Sequence, residues 1–220
     1  MDKIDLKEKI YNEMLADIVN LKYKPGEFVK EVELSERFNV SRTPMREVIK
    51  KLAVEGYIDV LPRYGNRVSL ISINSVKQIL EMRIVLENQV IDELRRNITE
   101  EQLNNLREHI ESQQAFVDSG NLESFWQSDN DFHEMLFNLA GREFWWDVIR
   151  RYEPHYMRFR KFDLQINRNV DLLFVHHKRI IEMISDTADC DIKGLVQSHI
   201  SIGLERIPVL LEKCPQYFTD

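Results

Sequence analysis

The first seventy residues change hydrophobic period several times. Apolar positions at Ile10, Met14, Ile18 and Leu21 recur at helical spacing over residues 4–22. Lys24-Pro25-Gly26-Glu27 interrupts that period and predicts a turn. A short helix is expected over 31–38, with Val32, Leu34 and Phe38 as apolar contacts, and Asn39-Val40 turns the chain into the next one. Val48, Ile49, Leu52 and Ala53 give that next helix a core face, and Gly56 stops it. Residues 57–61 and 67–71 alternate like strands, with Pro62-Arg63-Tyr64-Gly65-Asn66 as the hairpin tip. From Asn74 onward the strand signals vanish. Helical periods are expected over roughly 74–96, 99–118, 121–140, 142–161, 171–186 and 190–213. Asn97, Thr99, Gly120 and Gly141 serve as stops or caps, and the short connections favour antiparallel neighbours.

Within the first part, Val40-Ser41-Arg42-Thr43-Pro44-Met45-Arg46-Glu47-Val48 carries the most chemistry. Ser41 suits a helix N-cap, because its hydroxyl can accept from an unpaired backbone N–H. Pro44 falls in the first turn, where a missing N–H costs little. Arg42 and Arg46, four apart, share one side of the helix. The positive end of the helix dipole favours phosphate, and arginine grips guanine edges or phosphates with two parallel donors. Two helices, a recognition helix and a basic hairpin, in that order, predict a winged helix-turn-helix. The expected fold is therefore mainly α. A winged helix-turn-helix occupies residues 1–72, and an all-α antiparallel bundle occupies 73–220.

The net charge of −7 looks wrong for a nucleic-acid partner until it is divided. Residues 1–70 hold 13 Lys+Arg against 12 Asp+Glu, and the remainder holds 17 against 25. Local field counts for more than total charge, and the arginine helix with Arg63 and Arg67 forms the basic surface. Cys190 and Cys214 lack metal-type spacing and make no disulfide framework. With no signal peptide and no long apolar run, the expectation is a soluble, cytoplasmic protein without a membrane partner.

Three histidines of the second part lie inside apolar stripes. His133 shares a face with Leu136, Phe137 and Ala140, His177 with Ile180, Ile181 and Ile184, and His199 with Ile192, Leu195, Val196 and Ile202. Asp129 stands one turn before His133. An inward carboxylate beside inward imidazoles needs a cation. Three His and one Asp suit a divalent metal such as zinc or nickel. His176 points about 100° from His177, toward the surface or the outer side of the site, although the register alone would allow the reverse choice. His109 and Asp131 look exposed. His155, Tyr156, Arg158 and Arg160 lie on a helix that could reach the pocket, but read mostly as a solvated face. Trp126, Trp145 and Trp146 read as core or interface.

Residues 4–72 resemble the DNA-binding domain of the GntR family of bacterial transcription regulators. The strings that match are Leu21-Lys22-Tyr23-Lys24-Pro25-Gly26, Leu34-Ser35-Glu36, Val40 through Glu47, and Leu52-Ala53-Val54-Glu55-Gly56-Tyr57. The resemblance implies that Ser41, Arg42, Thr43 and Arg46 touch operator DNA and that Gly65 lets the wing tip approach the minor groove. Some relatives carry a basic residue where this chain has Val32, which implies one contact fewer. Residues 74–212 resemble the FCD ligand-binding domain of the FadR-type members. Arg83-Ile84-Val85-Leu86-Glu87, Asp129 through Leu136, Ala140-Gly141 and His177-Lys178-Arg179-Ile180-Ile181 carry that match, with His199 placed 22 residues after His177. It implies that Asp129, His133, His177 and His199 hold a divalent metal. It also implies that a small organic acid binds beside the metal and shifts DNA affinity. Arg83 is then a candidate carboxylate clamp; an ion pair with Glu87, four residues on, is the other reading. The leading expectation is a homodimeric, effector-responsive regulator of operator DNA. A metalloenzyme is the rival, but no His-Glu-x-x-His or Gly-rich phosphate loop supports it. A metal-sensing repressor without an organic ligand would use the same four residues.

Overall fold

The computed structural model describes residues 3–152, 154–166, 170–185 and 191–220. Its chain divides into two compact units. One comprises Met1–Lys77, Arg151–Asp163 and Ile207–Asp220, and the other Gln78–Arg150 and Leu164–Arg206. The first therefore recruits two segments that lie far beyond residue 72 in sequence.

In that first unit, α1 (Lys3–Val19) and β1 (Phe28–Val29) lead into α2 (Glu31–Arg37) and α3 (Arg42–Val54). The hairpin β2 (Ile58–Leu61) and β3 (Gly65–Val68) follows, and β4 (Ile71–Ser72) ends the run. The antiparallel sheet has the order β1-β3-β2, with Asp59 opposite Arg67 and Leu61 opposite Gly65. Ile10, Met14 and Ile18 of α1 pack with Leu34, Met45, Val48, Ile49, Leu52, Ile58 and Val68 in one buried cluster. Each large apolar side chain removed from water there stabilises the unit by roughly 1.5–3 kcal/mol. Val32 is an exception to the expected contacts: it is 42% exposed, because the core side of α2 is taken by Leu34 and Ser35.

Two capping turns aim the recognition helix. Asn39 takes φ +51°, while Val40 N–H bonds to Ser35 and Asn39 N–H to Glu36, which closes α2 within two residues. Gly56 takes φ +82°, and Tyr57 N–H bonds to Leu52 in the matching turn after α3.

Among its described residues the second unit is all helical. It contains most of α4 (Ile73–Asn97), with α5 (Glu100–Asp118), α6 (Leu122–Leu139) and α7 (Glu143–Arg151) following. The last residues of α8 (Pro154–Ile166), then α9 (Asp171–Ser185) and α10 (Ile192–Ser201), complete it, while the rest of α8 belongs to the first unit with α11 (Ile207–Lys213) and β5 (Phe218–Thr219). The unit boundaries fall inside α4, before Gln78, and inside α8, before Leu164. Thr99 caps α5 reciprocally with Gln102. The core is built from α5 packed on α6 and α9, with α10 against α9.

The structure corrects three expectations about the helices and strands. The helix expected over 142–161 is two, because Pro154 lacks an N–H and begins α8 rather than continuing α7. The helix expected over 190–213 also splits: Pro208 sits at the second position of α11, and a short 3-10 turn, Leu204–Arg206, precedes it. Strand structure does not end before Asn74, since Phe218–Thr219 pairs in parallel with Ile71–Ser72. Residues 186–190, including Cys190, lie outside the described residues; Cys214 is a half-buried free thiol. No helix among the described residues is long and apolar enough to cross a membrane.

Candidate metal centre and nucleic-acid interface

Asp129, His133, His177 and His199 converge in the second unit, each buried and each offering a donor atom within 4.8 Å of the others. Asp129 and His133 come from α6, His177 from α9 and His199 from α10. His199 Nε2 lies 3.2 Å from both His177 Nε2 and His133 Nε2. Asp129 carboxylate oxygens lie 3.6 Å from His177 Nε2 and 4.0 Å from His133 Nε2.

The outer partners decide what these nitrogens present. His133 Nδ1 is 2.7 Å from Glu87 Oε2. Burial pushes the Glu87 carboxyl up, but Arg83 and His133 outweigh it and hold the group at about 2. An ionised carboxylate only accepts, so His133 Nδ1–H donates to it and the ring turns Nε2 toward the centre. His177 Nδ1 donates in the same way to Gln113 Oε1 across 2.8 Å, which turns its Nε2 toward the centre. Burial, then His177 and His133, push the His199 imidazole well below its ordinary value, which disfavours a charged ring there.

Such a donor set suits a cation. Atoms about 2.0–2.1 Å from one shared ion lie roughly 2.9–3.4 Å apart on neighbouring tetrahedral or octahedral vertices. The 3.2 Å separations fall in that range. The residues present fit a divalent metal.

Arg83 is 2% exposed, and its Nε and a terminal nitrogen each lie 2.8 Å from Glu87 Oε1. Of the two readings of Arg83, the ion pair is made. It continues as Arg83–Glu87–His133, so a charge outside the centre orients a ring inside it. Gln113 escaped the sequence reading. Its signal was a polar residue closing the buried stripe Leu103, Leu106, Ile110 of α5. His109 is not exposed as expected: it is half-buried, with Nε2 2.8 Å from the Ser128 carbonyl. His176 is half-buried with its ring 5.8 Å from that of His199, behind the centre rather than in it. Trp126 and Trp146 are buried core, as expected.

On the first unit, α3 divides cleanly. Met45, Val48, Ile49 and Leu52 are buried, while Ser41, Arg42, Thr43 and Arg46 are exposed. Ser41 occupies the N-cap position with extended backbone, but its hydroxyl makes no capping bond. The first-turn N–H groups and that hydroxyl therefore face solvent together. Arg42 makes no ion pair or hydrogen bond among the described residues. Arg46 Nε bonds Glu31 Oε2 at 2.7 Å, a partner the sequence reading did not name.

The wing is less basic than its composition. Arg67 is tied to Asp59 across the β2–β3 ladder at 2.8 Å and is only partly exposed. Arg63 is exposed at the tip and takes φ +70° behind Pro62, with Tyr64 N–H bonded to Leu61. Gly65 takes φ +110°, and a Cβ there would meet nothing within 4 Å, so backbone conformation and not crowding requires the glycine. Tyr64 stands 80% exposed between them.

A recognition helix with an exposed arginine face, followed by a hairpin wing, defines a winged helix-turn-helix DNA-binding protein. Its second unit adds a buried site that can hold a metal. Residues 6–68 match the bacterial regulatory proteins of the gntR family, and residues 78–201 match the FCD domain. The chain belongs to the GntR family of transcription regulators. It is 27% identical over 213 residues to the HTH-type transcriptional repressor RspR of Escherichia coli, across 97% of this chain and 93% of that one. It is 26% identical over 191 residues to the Nta operon transcriptional regulator of Aminobacter aminovorans, across 86% of this chain and 88% of that one. The solved structure of Escherichia coli McbR/YncC superposes with a TM-score of 0.72 at 18% identity, covering 97% of this chain and 99% of that one.

Proposed function

We propose that this DNA-binding regulator works as a homodimer whose grip on a palindromic operator is set by a divalent metal, zinc or nickel, and a small organic acid in the helical unit. The observation that carries the reading is the meeting of three imidazole Nε2 atoms and one carboxylate at a single buried point. When bound, the ion supplies Lewis-acid attraction for a carboxylate. Asp129, His133, His177 and His199 hold it. Arg83, as the buried cation behind the centre, keeps Glu87 in place and adds attraction for an acid effector.

At the DNA, Arg42 and Arg46 read the major groove, while Ser41 and Thr43 meet phosphate at the start of α3. Arg63 and Gly65 bring the wing to the minor groove, with Arg67 bracing the hairpin. Two-fold symmetry pairs two recognition helices on half-sites about one helical turn apart. RspR is named a repressor, and the same sign of control is the simplest assignment here.

Elemental analysis of protein purified without chelators tests the metal. We expect one divalent ion per chain, and a higher melting temperature than in EDTA. A thermal-shift screen of small carboxylates on the loaded protein tests the acid. Metal alone switching operator binding, with no acid shifting the melt, would leave a metal sensor instead.

A further inference from the structure

We propose that Arg158 is a positioning residue for the wing: from α8 it clamps the base of the hairpin so that the tip meets DNA at a fixed angle to the recognition helix. The side chain was expected on a solvated face. It is instead fully buried, at 0% exposure, within the DNA-binding unit.

Among the described residues, every bond it makes points at the wing base or at its own helix. Its Nε donates to the Pro154 carbonyl at 2.9 Å, which locks the guanidinium plane to the first turn of α8. One terminal nitrogen donates to the Ser69 carbonyl at 2.5 Å, and the other to Ser69 Oγ at 2.9 Å. Ser69 directly follows β3. Its hydroxyl donates to the Gly56 carbonyl at 2.6 Å and its N–H to the Tyr57 carbonyl at 3.0 Å. Gly56 and Tyr57 form the stop of α3. One guanidinium thus ties together the end of the recognition helix, the root of the wing and a helix from 89 residues away. Neighbouring contacts extend the clamp. His155 Nδ1 accepts from Ser72 N–H at 3.2 Å, and Ser72 Oγ donates to the Asp220 carbonyl at 3.1 Å.

Stability alone does not call for this residue. A well-packed apolar side chain would fill the space without the cost of taking a cation out of water. What the guanidinium adds is geometry: a rigid planar fork with two donors set on one serine, which an ammonium cannot copy. The wing tip needs that help. Arg63, Tyr64 and Gly65 are exposed and held only within the hairpin's own turn and ladder among the described residues, so their direction is fixed from the root.

The proposal rests on the wing touching DNA, and the test separates the two ideas. The probe is a duplex that the protein itself selects from a random-sequence pool, with affinity read by fluorescence anisotropy. Arg63→Ala alone reads the wing contact; if it binds like the wild type, the wing assignment falls and the clamp with it. With that contact in place, Arg158→Lys is expected to weaken binding about 5- to 10-fold, the size of a coupled neighbour effect. Added to Arg63→Ala it should cost less than about 2-fold more, whereas with Arg42→Ala the losses should multiply. Equal losses in both backgrounds, or an Arg158→Lys protein that binds as the wild type, would overturn the proposal. If Arg158→Lys fails to fold by circular dichroism, Ser69→Ala carries the same cycle with the same expected outcomes.

Discussion

Arg46 leans out of the recognition helix and places Nε 2.7 Å from Glu31 Oε2, at the start of the preceding helix. The contact uses Nε and leaves the two terminal nitrogens as a pair of parallel donors of the kind that can grip guanine. With α3 in the major groove as proposed, Glu31 would also put a negative charge near the phosphates and repel them. Glu31→Gln should therefore raise affinity for unrelated duplex while lowering affinity for the selected operator. The ratio of the two is expected to fall by about 10-fold, the scale of one bidentate base contact. Equal changes on both duplexes would make the pair ordinary surface charge.

The outer ring of the metal centre should matter nearly as much as the ligands. His177→Ala is expected to abolish stoichiometric metal. Glu87→Gln, which keeps the shape but loses the charge held by Arg83, should weaken metal binding by about 10- to 100-fold. Calorimetric titration of zinc into stripped protein reads both.

Arg63 sits in left-handed backbone, which costs a non-glycine residue roughly 1–2 kcal/mol. Arg63→Gly should raise the unfolding free energy by part of that amount while weakening operator binding and lowering the salt slope by about 1. A variant that gains stability without losing affinity would remove Arg63 from the interface.

His155 gives a pH signature. Burial, then Arg158 beside it, lower its imidazole to about 4 from an ordinary value of 6.5. Between those values the unfolded chain binds a proton that the native site refuses, so stability rises with pH across the window and is lost on going from pH 6.5 toward 4. His155→Gln should flatten that part of the urea-midpoint curve relative to the wild type. Parallel curves would mean that the ring titrates freely in the native state.

Much of the fold was legible because its signals are local. Ile10, Met14 and Ile18 announce their helix by spacing, and Gly56 and Thr99 mark ends through backbone rules that act over four residues. The convergence of Asp129, His133, His177 and His199 was legible for a related reason, since each histidine stands in an apolar stripe of its own helix, while the choice of His177 over His176 rested on the family resemblance. What could not be read depends on distance in space. Nothing near Arg158 in sequence reveals that Ser69 waits 89 residues earlier, so an arginine grouped with His155 and Arg160 looked solvated. Glu31 and Arg46 pair across a turn, and Gln113 meets His177 across two helices. Pro154 was a different case: its missing N–H is a local signal, and an otherwise continuous helical period hid it.

In the proposed regulator the metal-holding chamber governs the grip of the arginine helix on DNA. Operator affinity is therefore to be measured on one preparation, first stripped by chelation, then reloaded with zinc, then given the best carboxylate from the screen. The dissociation constant should move between these states by about 5- to 150-fold, as a coupling of 1–3 kcal/mol requires. Superimposable binding curves in all three states, from protein that demonstrably takes up and loses the ion, would leave the chamber and the DNA grip uncoupled.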